Sequence, residues 1–475
     1  MASSKKLLPS DLPAFVEAKL KSWVQPGRYL TLALSGGADS VALLDILAQL
    51  RTSLNFSLSA IHVNHQISPN SADWTEFCAR LCVGYNIPLQ VVKVDLKRQP
   101  GESLEALARD ARYQAFAEQQ ADFVVLAQHL DDQAETLLLQ LLRGAGAKGL
   151  SAMGEMREGL EVRGEGGVKT PRYLRPLLDV PRRLILDYAA LHKLQWVEDE
   201  SNADISYDRN YLRHRVMPEL EKRFPGYRVT FSRASRNLAE SAQLADDLAR
   251  LDAAIAVING NLRVDALHRL SGARARNLLR YWLAELGISM PSAGRLENLL
   301  QQLCSARDDA QIRISLGSAV IRRYRGEVHL EPTATCPRVG GARELPECKK
   351  KILAPLPEAA LIWSLQDALD LPGSGGRLVF EWTTGQGLSL ARLTSAPVTI
   401  RLRQGGERLR PDCLRPTRSL KNLLQEAGMP PWQRQRLPLL FSGEKLAFVP
   451  GVGIDCDYRV QEGEPGVIVK LERAI

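Results

Sequence analysis

The chain has 475 residues, 45% hydrophobic and 24% charged, a balance that excludes a disordered chain, a collagen and a small disulfide scaffold. At roughly 100–200 residues per domain it holds several domains. Lys plus Arg number 62 against 54 Asp plus Glu, and this net +8 permits nucleic-acid binding without demanding it.

In chain order, residues 29–34 (Tyr-Leu-Thr-Leu-Ala-Leu) read as a short buried strand and residues 35–40 as a tight loop. A helix follows over 41–50, with Val41, Leu44, Ile46, Leu47 and Leu50 apolar. The pattern continues as strand 58–63, helix 72–85, strand 88–94, helix 103–120, strand 123–127 and helix 132–143. Such alternation predicts an α/β fold, a doubly wound parallel sheet with helices on both faces. Residues 157–170, rich in Gly and charge, predict an exposed hairpin or flap, and 182–194 a helix. The polar, Arg-rich stretch 199–218 closes a first domain, 1–218.

Long helical patterns over 231–305 make 219–385 a mainly helical middle domain, with a Pro-rich linker at 332–357. Residues 386–475 mix strand-like runs with a Lys/Arg-rich helix near 419–428, a small α+β domain. The basic excess lies in these last two regions. No stretch of about 18 apolar residues predicts a membrane span, and Met1 to Leu30 shows no secretory leader. Seven irregularly spaced cysteines without Cys-x-x-Cys predict neither a disulfide framework nor a zinc ribbon. Reduced thiols and a cytoplasmic setting are the expectation.

The sharpest motif is Ser35-Gly36-Gly37-Ala38-Asp39-Ser40 between strand and helix. Its glycines let backbone amides approach an anion, and the helix start adds unpaired N–H donors and partial positive charge, together a phosphate cradle. No Gly-Lys-Ser/Thr follows, so it is not a Walker loop, and Gly-x-Gly-x-x-Gly is missing. A second constellation, Gln128-His129-Leu130-Asp131-Asp132-Gln133-Ala134-Glu135-Thr136, follows the 123–127 strand. Helical spacing puts Glu135 on one face with Asp132 or Asp131. Acidic residues also suit a helix start for purely structural reasons, but that does not account for Glu135 and His129. A third, Glu105 to Tyr113 with Arg109 and Arg112, taken alone spells a solvated ion-pair ladder. His62-Val63-Asn64-His65 ends the second strand, at the edge where parallel sheets place ligands. A fourth motif, Arg209-Asn210-Tyr211-Leu212-Arg213-His214-Arg215, can grip phosphate and stack a base.

Ser-Gly-Gly-x-Asp-Ser is the signature of the pyrophosphatase-loop, ATP-dependent adenylating enzymes. The four motifs in this order, with His-Val-Asn-His and Asp-x-Ser-Asn, resemble the tRNA(Ile)-lysidine synthases. The resemblance is dense over 28–218 and resumes at Arg401–Pro411, Ser419–Leu424 and Pro430–Arg434. One departure stands out: the family's second motif commonly opens with two His, whereas here Gln128 precedes His129. Gln can donate a hydrogen bond but cannot carry a proton at neutral pH.

The resemblance implies ligation of free L-lysine to C2 of the wobble cytidine of an isoleucine tRNA with a CAU anticodon, through an adenylated cytidine. ATP with Mg²⁺ is implied at Ser35, Gly36, Gly37, Ala38, Asp39, Ser40 and His62, with Asp39 and Asp131 as metal ligands. Asp39, Arg109, Arg112, His129, Asp131, Asp132 and Glu135 are the implied catalytic set, Arg109 being preferred at the α-phosphate. Asp132 and Glu135 would hold the lysine ammonium. RNA contacts fall to Arg209, Asn210, Arg213, Arg401, Arg403, Arg408, Arg410, Lys421 and Arg434. A monomer or homodimer is implied, with no membrane. Three alternatives are weaker. A tRNA thiolase would need sulfur-handling cysteines, and no Cys-x-x-Cys is present. An amide synthetase fed by glutamine would leave the basic appendages unexplained. A non-catalytic tRNA-binding protein would not need these motifs intact.

Overall fold

The computed structural model describes residues 7–95, 104–159, 170–307, 312–317, 319–332, 361–371 and 376–473. Of the sequence expectations, the Pro-rich linker beyond Pro332 and the centre of the 157–170 flap lie outside these residues. The chain divides into two compact units, the first comprising chiefly Met1–Ile255 with Ser271–Trp282.

The first unit runs α1 (Leu12–Trp23), β1 (Tyr29–Ala33), α2 (Ala38–Ser53), β2 (Ser57–Asn64), α3 (Ser71–Tyr85), β3 (Leu89–Lys93), α4 (Leu104–Ala117), β4 (Phe123–Val125) and α5 (Leu130–Leu142). Next come α6 (Ala147–Leu150), β5 (Met156–Arg157), β6 (Arg172–Leu174) and α7 (Arg182–Leu191). The strands form one sheet in the order β3-β2-β1-β4-β6-β5, all pairs parallel except β5 with β6. Strand alternation sends Leu30, Leu32, Phe123 and Val125 into the core lined by α1, α2 and α7, whose Leu12, Leu44 and Tyr188 pack there. Their neighbours Val124 and Leu126 turn to the other face, against Ala115 and Phe116 of α4. The doubly wound sheet is therefore as expected, and β1 and β4 are adjacent although α2, α3 and α4 intervene. That strand-order reversal opens a crevice at their carboxyl ends. β6, only three residues long, gave the sequence too short an apolar run to be read as a strand.

Beyond α7, the Arg-rich stretch winds into short helical turns over 208–223, followed by a 30-residue helix, Tyr227–Ala256. The second unit contains the helix Ala293–Ser305 and an antiparallel sheet of Val257–Ile258, Asn261–Arg263, Glu327–Pro332, Ala319–Tyr324 and Arg313–Leu316. The sequence reading did not place this sheet. Its chain end carries the expected α+β portion, in which the helix Leu420–Glu426 shares a core with Leu439, Phe441 and Leu446. Among the described residues no helix is long and apolar enough to cross a membrane.

One expectation is overturned. Cys413 and Cys456 form a disulfide across a sequence separation of 43, while Cys78, Cys82 and Cys304 are free thiols. The pairing is a product of tertiary structure. Cys456 donates its N–H to the Arg410 carbonyl at 2.9 Å, and Arg410 donates its own to Asp455 at 2.7 Å. These bonds draw two distant segments together, leaving the cysteine Cα atoms 5.5 Å apart, within bridging range.

Candidate active site

The Ser35–Ser40 loop leaves β1 and enters α2 at the expected crevice. Gly36 adopts φ +90°, and a Cβ there would lie 2.8 Å from Val197 Cγ2 and 3.2 Å from Cys78 Sγ. Its carbonyl accepts the Val197 amide at 3.0 Å. Ser35 Oγ and Ser40 Oγ are 3.1 Å apart, and Ser40 Oγ also donates to the Gly37 carbonyl at 2.9 Å. No side chain caps α2, so its first amides stay open to an anion. Beneath the loop, buried His62 hydrogen-bonds through Nδ1 to the Leu34 carbonyl at 2.9 Å, which fixes the strand end. Burial holds this ring below the ordinary histidine range, favouring the neutral donor.

Asp39 is the hinge between loop and second motif. Its Oδ2 lies 3.6 Å from His129 Nε2 and 3.5 Å from Arg182 Nε, while buried Oδ1 has no hydrogen-bond partner. His129 caps α5 reciprocally: its Nδ1 accepts from the Asp132 amide, and Asp132 Oδ2 accepts from the His129 amide. Burial opposes a charge on His129, but Asp132, Asp39 and Asp131 outweigh it and hold the ring above its ordinary value. Asp132 responds in kind: burial opposes its charge, yet His129, Arg209 and Arg213 hold it below the usual carboxylate range.

The fourth motif folds back onto the second. Arg209 donates to Glu135 Oε2 at 2.7 Å and to Asp132 Oδ1 at 2.8 Å. Arg213 donates to Glu135 Oε1 at 2.7 Å and Oε2 at 3.1 Å. Asn210 gives its amide to the Ser201 and Asp204 carbonyls. These three residues, expected at RNA, are thus held within the unit. Asp131 is also occupied: Arg228 Nε donates to Oδ1 at 2.5 Å, and the Arg182 amide donates to Oδ2 at 2.9 Å.

The metal expectation therefore divides. Mg²⁺ is typically held by one or two carboxylates plus phosphates. The orphaned Asp39 Oδ1 fits such a role. Asp131, with both oxygens bonded, does not, and the described residues contain no cluster of three or more His, Cys, Asp or Glu suited to a metal.

The α4 arginines separate. Arg112 Nη2 lies 3.4 Å from His65 Nε2, and burial together with the charges of Arg109 and Arg209 holds its guanidinium below the ordinary value. Burial, then Arg112 and His62, push His65 down to about 4, so its ring is neutral. Arg109 instead stacks on Tyr113, its Cζ 5.0 Å from the ring centre. Gln128 accepts from Arg175 Nε. Arg175, Arg182 and Arg228 were missed in the sequence. The one available signal was the basic pair Arg182-Arg183 after Pro181, at the start of a predicted helix.

In the second unit most of the predicted RNA-binding cations have protein partners. Arg401 pairs with Glu444 at 3.2 Å, Arg403 with Glu407 at 3.5 Å and Arg410 with Asp457 at 2.7 Å. Arg408 donates to the Thr417 carbonyl, and Arg434 to the Met429 carbonyl and Tyr324 hydroxyl. Lys421 is exposed and makes no hydrogen bond or ion pair among the described residues.

The PP-loop domain family matches residues 12–220, the TilS substrate binding domain 262–329 and the TilS substrate C-terminal domain 398–471. The tRNA(Ile)-lysidine synthase of Nitrosomonas europaea is 46% identical over 469 residues, covering 99% of this chain and 97% of that one. The enzyme of the same name from Ralstonia nicotianae is 41% identical over 434 residues, covering 90% and 89%. That of an Azoarcus species is 38% identical over 454 residues, covering 96% and 94%.

Proposed function

Since the chain belongs to the tRNA(Ile)-lysidine synthase family, we propose that it joins lysine to the wobble cytidine of an isoleucine tRNA with a CAU anticodon, in two steps at the β1–β4 crevice, the first of which consumes ATP. It is a ligase whose N-terminal domain uses ATP. The observation that carries the detailed reading is the convergence of Asp39, His129, Asp132 and Glu135 beside an uncapped phosphate loop.

The loop amides and the Ser35 and Ser40 hydroxyls grip the leaving pyrophosphate. Asp39, through its unpartnered Oδ1, would hold Mg²⁺, which would supply charge neutralisation at the phosphates. The cytidine O2 attacks the α-phosphorus, the α–β P–O bond breaks, and pyrophosphate leaves. Such transfer needs positioning and charge compensation more than a strong base. Of the two α4 arginines, Arg112 is assigned to the α-phosphate, because it lies beside His65 just past β2, the strand next to the loop-bearing β1. The side-chain amine of lysine then attacks C2, and AMP departs with the C2–O bond. Asp132 and Glu135 hold the incoming ammonium and take its proton. Their bonds to Arg209 and Arg213 must loosen for this. Both guanidinium groups keep about a quarter of their side-chain surface exposed, 26% and 25%, and can turn outward to RNA phosphate.

The test is incorporation of radiolabelled lysine into an isoleucine tRNA transcript with a CAU anticodon. ATP-dependent labelling, abolished by Asp39→Ala and by replacing the wobble C with U, is expected. Pyrophosphate release stimulated by RNA without lysine incorporation would point to a different nucleophile and overturn the reading.

A further inference from the structure

Most arginines around the carboxylate cluster have an acidic partner: Arg182, Arg209, Arg213 and Arg228 all do. A second group does not. Arg109 on α4 and Arg157 on β5 place their Cζ atoms 5.0 and 5.9 Å from the centre of the Tyr113 ring. Arg175, which follows β6 and is 3% exposed, hydrogen-bonds the Tyr113 hydroxyl. Its remaining donors go to the Gln128 side chain and, at 2.8 Å, to the Gly154 carbonyl, both uncharged. No carboxylate among the described residues forms an ion pair with Arg109, Arg157 or Arg175. Tyr113 is held in place by edge contacts to Phe116 at 5.8 Å and Tyr173 at 5.4 Å. The guanidinium groups pull its hydroxyl below the ordinary phenol range, although burial pushes the other way.

Three like charges around one phenol repel, and a partly buried set without a counter-ion is costly. The arrangement is offset when an anion enters. Several guanidinium forks converging with a hydroxyl suit the tetrahedral oxygens of a phosphate. The ATP phosphates are already provided for at the end of β1. Arg157 and Arg175 belong to β5 and the end of β6, which in the strand order lie beyond β4 from the loop-bearing β1. A phosphate there belongs to a molecule reaching past the nucleotide.

We infer that Arg109, Arg157 and Tyr113, backed by Arg175, form a second anion subsite that takes a backbone phosphodiester of the substrate RNA next to the reacting cytidine. The inference rests on the reading of the protein as acting on tRNA. Arg157 clamps the phosphate from the β5 side and Arg109 from the α4 side. Arg175 is a positioning residue: it fixes Tyr113 and adds positive potential without being reached by solvent.

The experiment uses the full chain and Arg157→Gln, Arg157→Lys and Arg109→Gln, the last at an exposed position that does not endanger folding. Affinity for the tRNA transcript is measured from low to moderate salt, and ATP and pyrophosphate affinities are measured without RNA. Arg157→Gln and Arg109→Gln should each weaken RNA binding about five- to tenfold. Each should also flatten the plot of log affinity against log salt by about 0.7–0.9. Arg157→Lys should retain most of the affinity, and ATP and pyrophosphate binding should not change. Unchanged RNA affinity and slope in both Gln variants would overturn the proposal. So would weakened ATP or pyrophosphate binding without RNA, which would make the anion the nucleotide's own. Lysine incorporation by the unaltered protein is scored separately: its absence would sink the proposed chemistry, while the salt-slope result would still decide the subsite.

Discussion

Arg209 Nε donates to Glu135 Oε2 at 2.7 Å, a bond between residues 74 positions apart that locks the fourth motif onto the second. Glu135 is almost fully buried, and Arg213 holds its other oxygen. Removing one member of a buried ion pair strands the other. Glu135→Gln should therefore cost about 3 kcal/mol of stability, read in denaturant melts, and should raise the KM for lysine. Arg209→Lys, which loses the fork, should recover only part of the stability.

Asp132 makes this lock depend on pH. Its folded-state carboxyl lies below its unfolded value, so its stabilisation is present above about pH 4 and is lost as pH falls through the folded value. Melting of the protein and of Asp132→Asn from pH 7 down to pH 3 should show a wide gap at neutral pH that closes in acid. A gap independent of pH would contradict the assignment.

Gly36→Ala combines a strained positive φ with a Cβ 2.8 Å from Val197 Cγ2. Loss of ATP binding by at least tenfold is expected, with the remainder of the fold intact by circular dichroism. Gly27, also at positive φ but with nothing within 4 Å of a built Cβ, should tolerate Ala far better.

Gln128 accepts from buried Arg175 and cannot titrate. Gln128→His should match the parent enzyme near pH 8, where neutral imidazole still accepts that bond. As pH drops toward 6 and below, protonation would set two cations together, so the variant alone should lose activity. A pH–rate profile of both proteins decides this.

The Cys413–Cys456 bridge spans 43 positions, and Cys413→Ser should destabilise the C-terminal unit by about 2–4 kcal/mol under oxidising conditions. Under reducing conditions the difference should vanish. A difference that persists in reductant would mean that packing rather than the cross-link is responsible.

The phosphate loop was legible because its cause is local. Two glycines, two serines and the strand–helix switch lie within a dozen residues, and the backbone conformation they require is written in their types. The doubly wound sheet followed from apolar periodicity, whereas the reciprocal cap of His129 and Asp132 on α5 was not read from the sequence. Arg182, Arg228 and Arg175 left almost no local trace, because an arginine's role is set by which carboxylate it meets. β6 was too short to show a period, and the second unit's sheet was hidden behind helical patterning.

The sequence alone thus determined the chemistry on offer: an anion cradle, adjacent carboxylates and a family resemblance dense over 28–218 and resuming near the C-terminus. Only the tertiary structure decided how these groups are shared out. It left Asp39 an oxygen free and closed off Asp131. It turned Arg209 and Arg213 inward, and gathered Arg109, Arg157 and Arg175 around Tyr113 without a carboxylate ion-pair partner among the described residues. The reason is physical. Charge pairing acts over a few ångströms in space, and residues 74 or 97 positions apart become partners only after the sheet and its helices have packed.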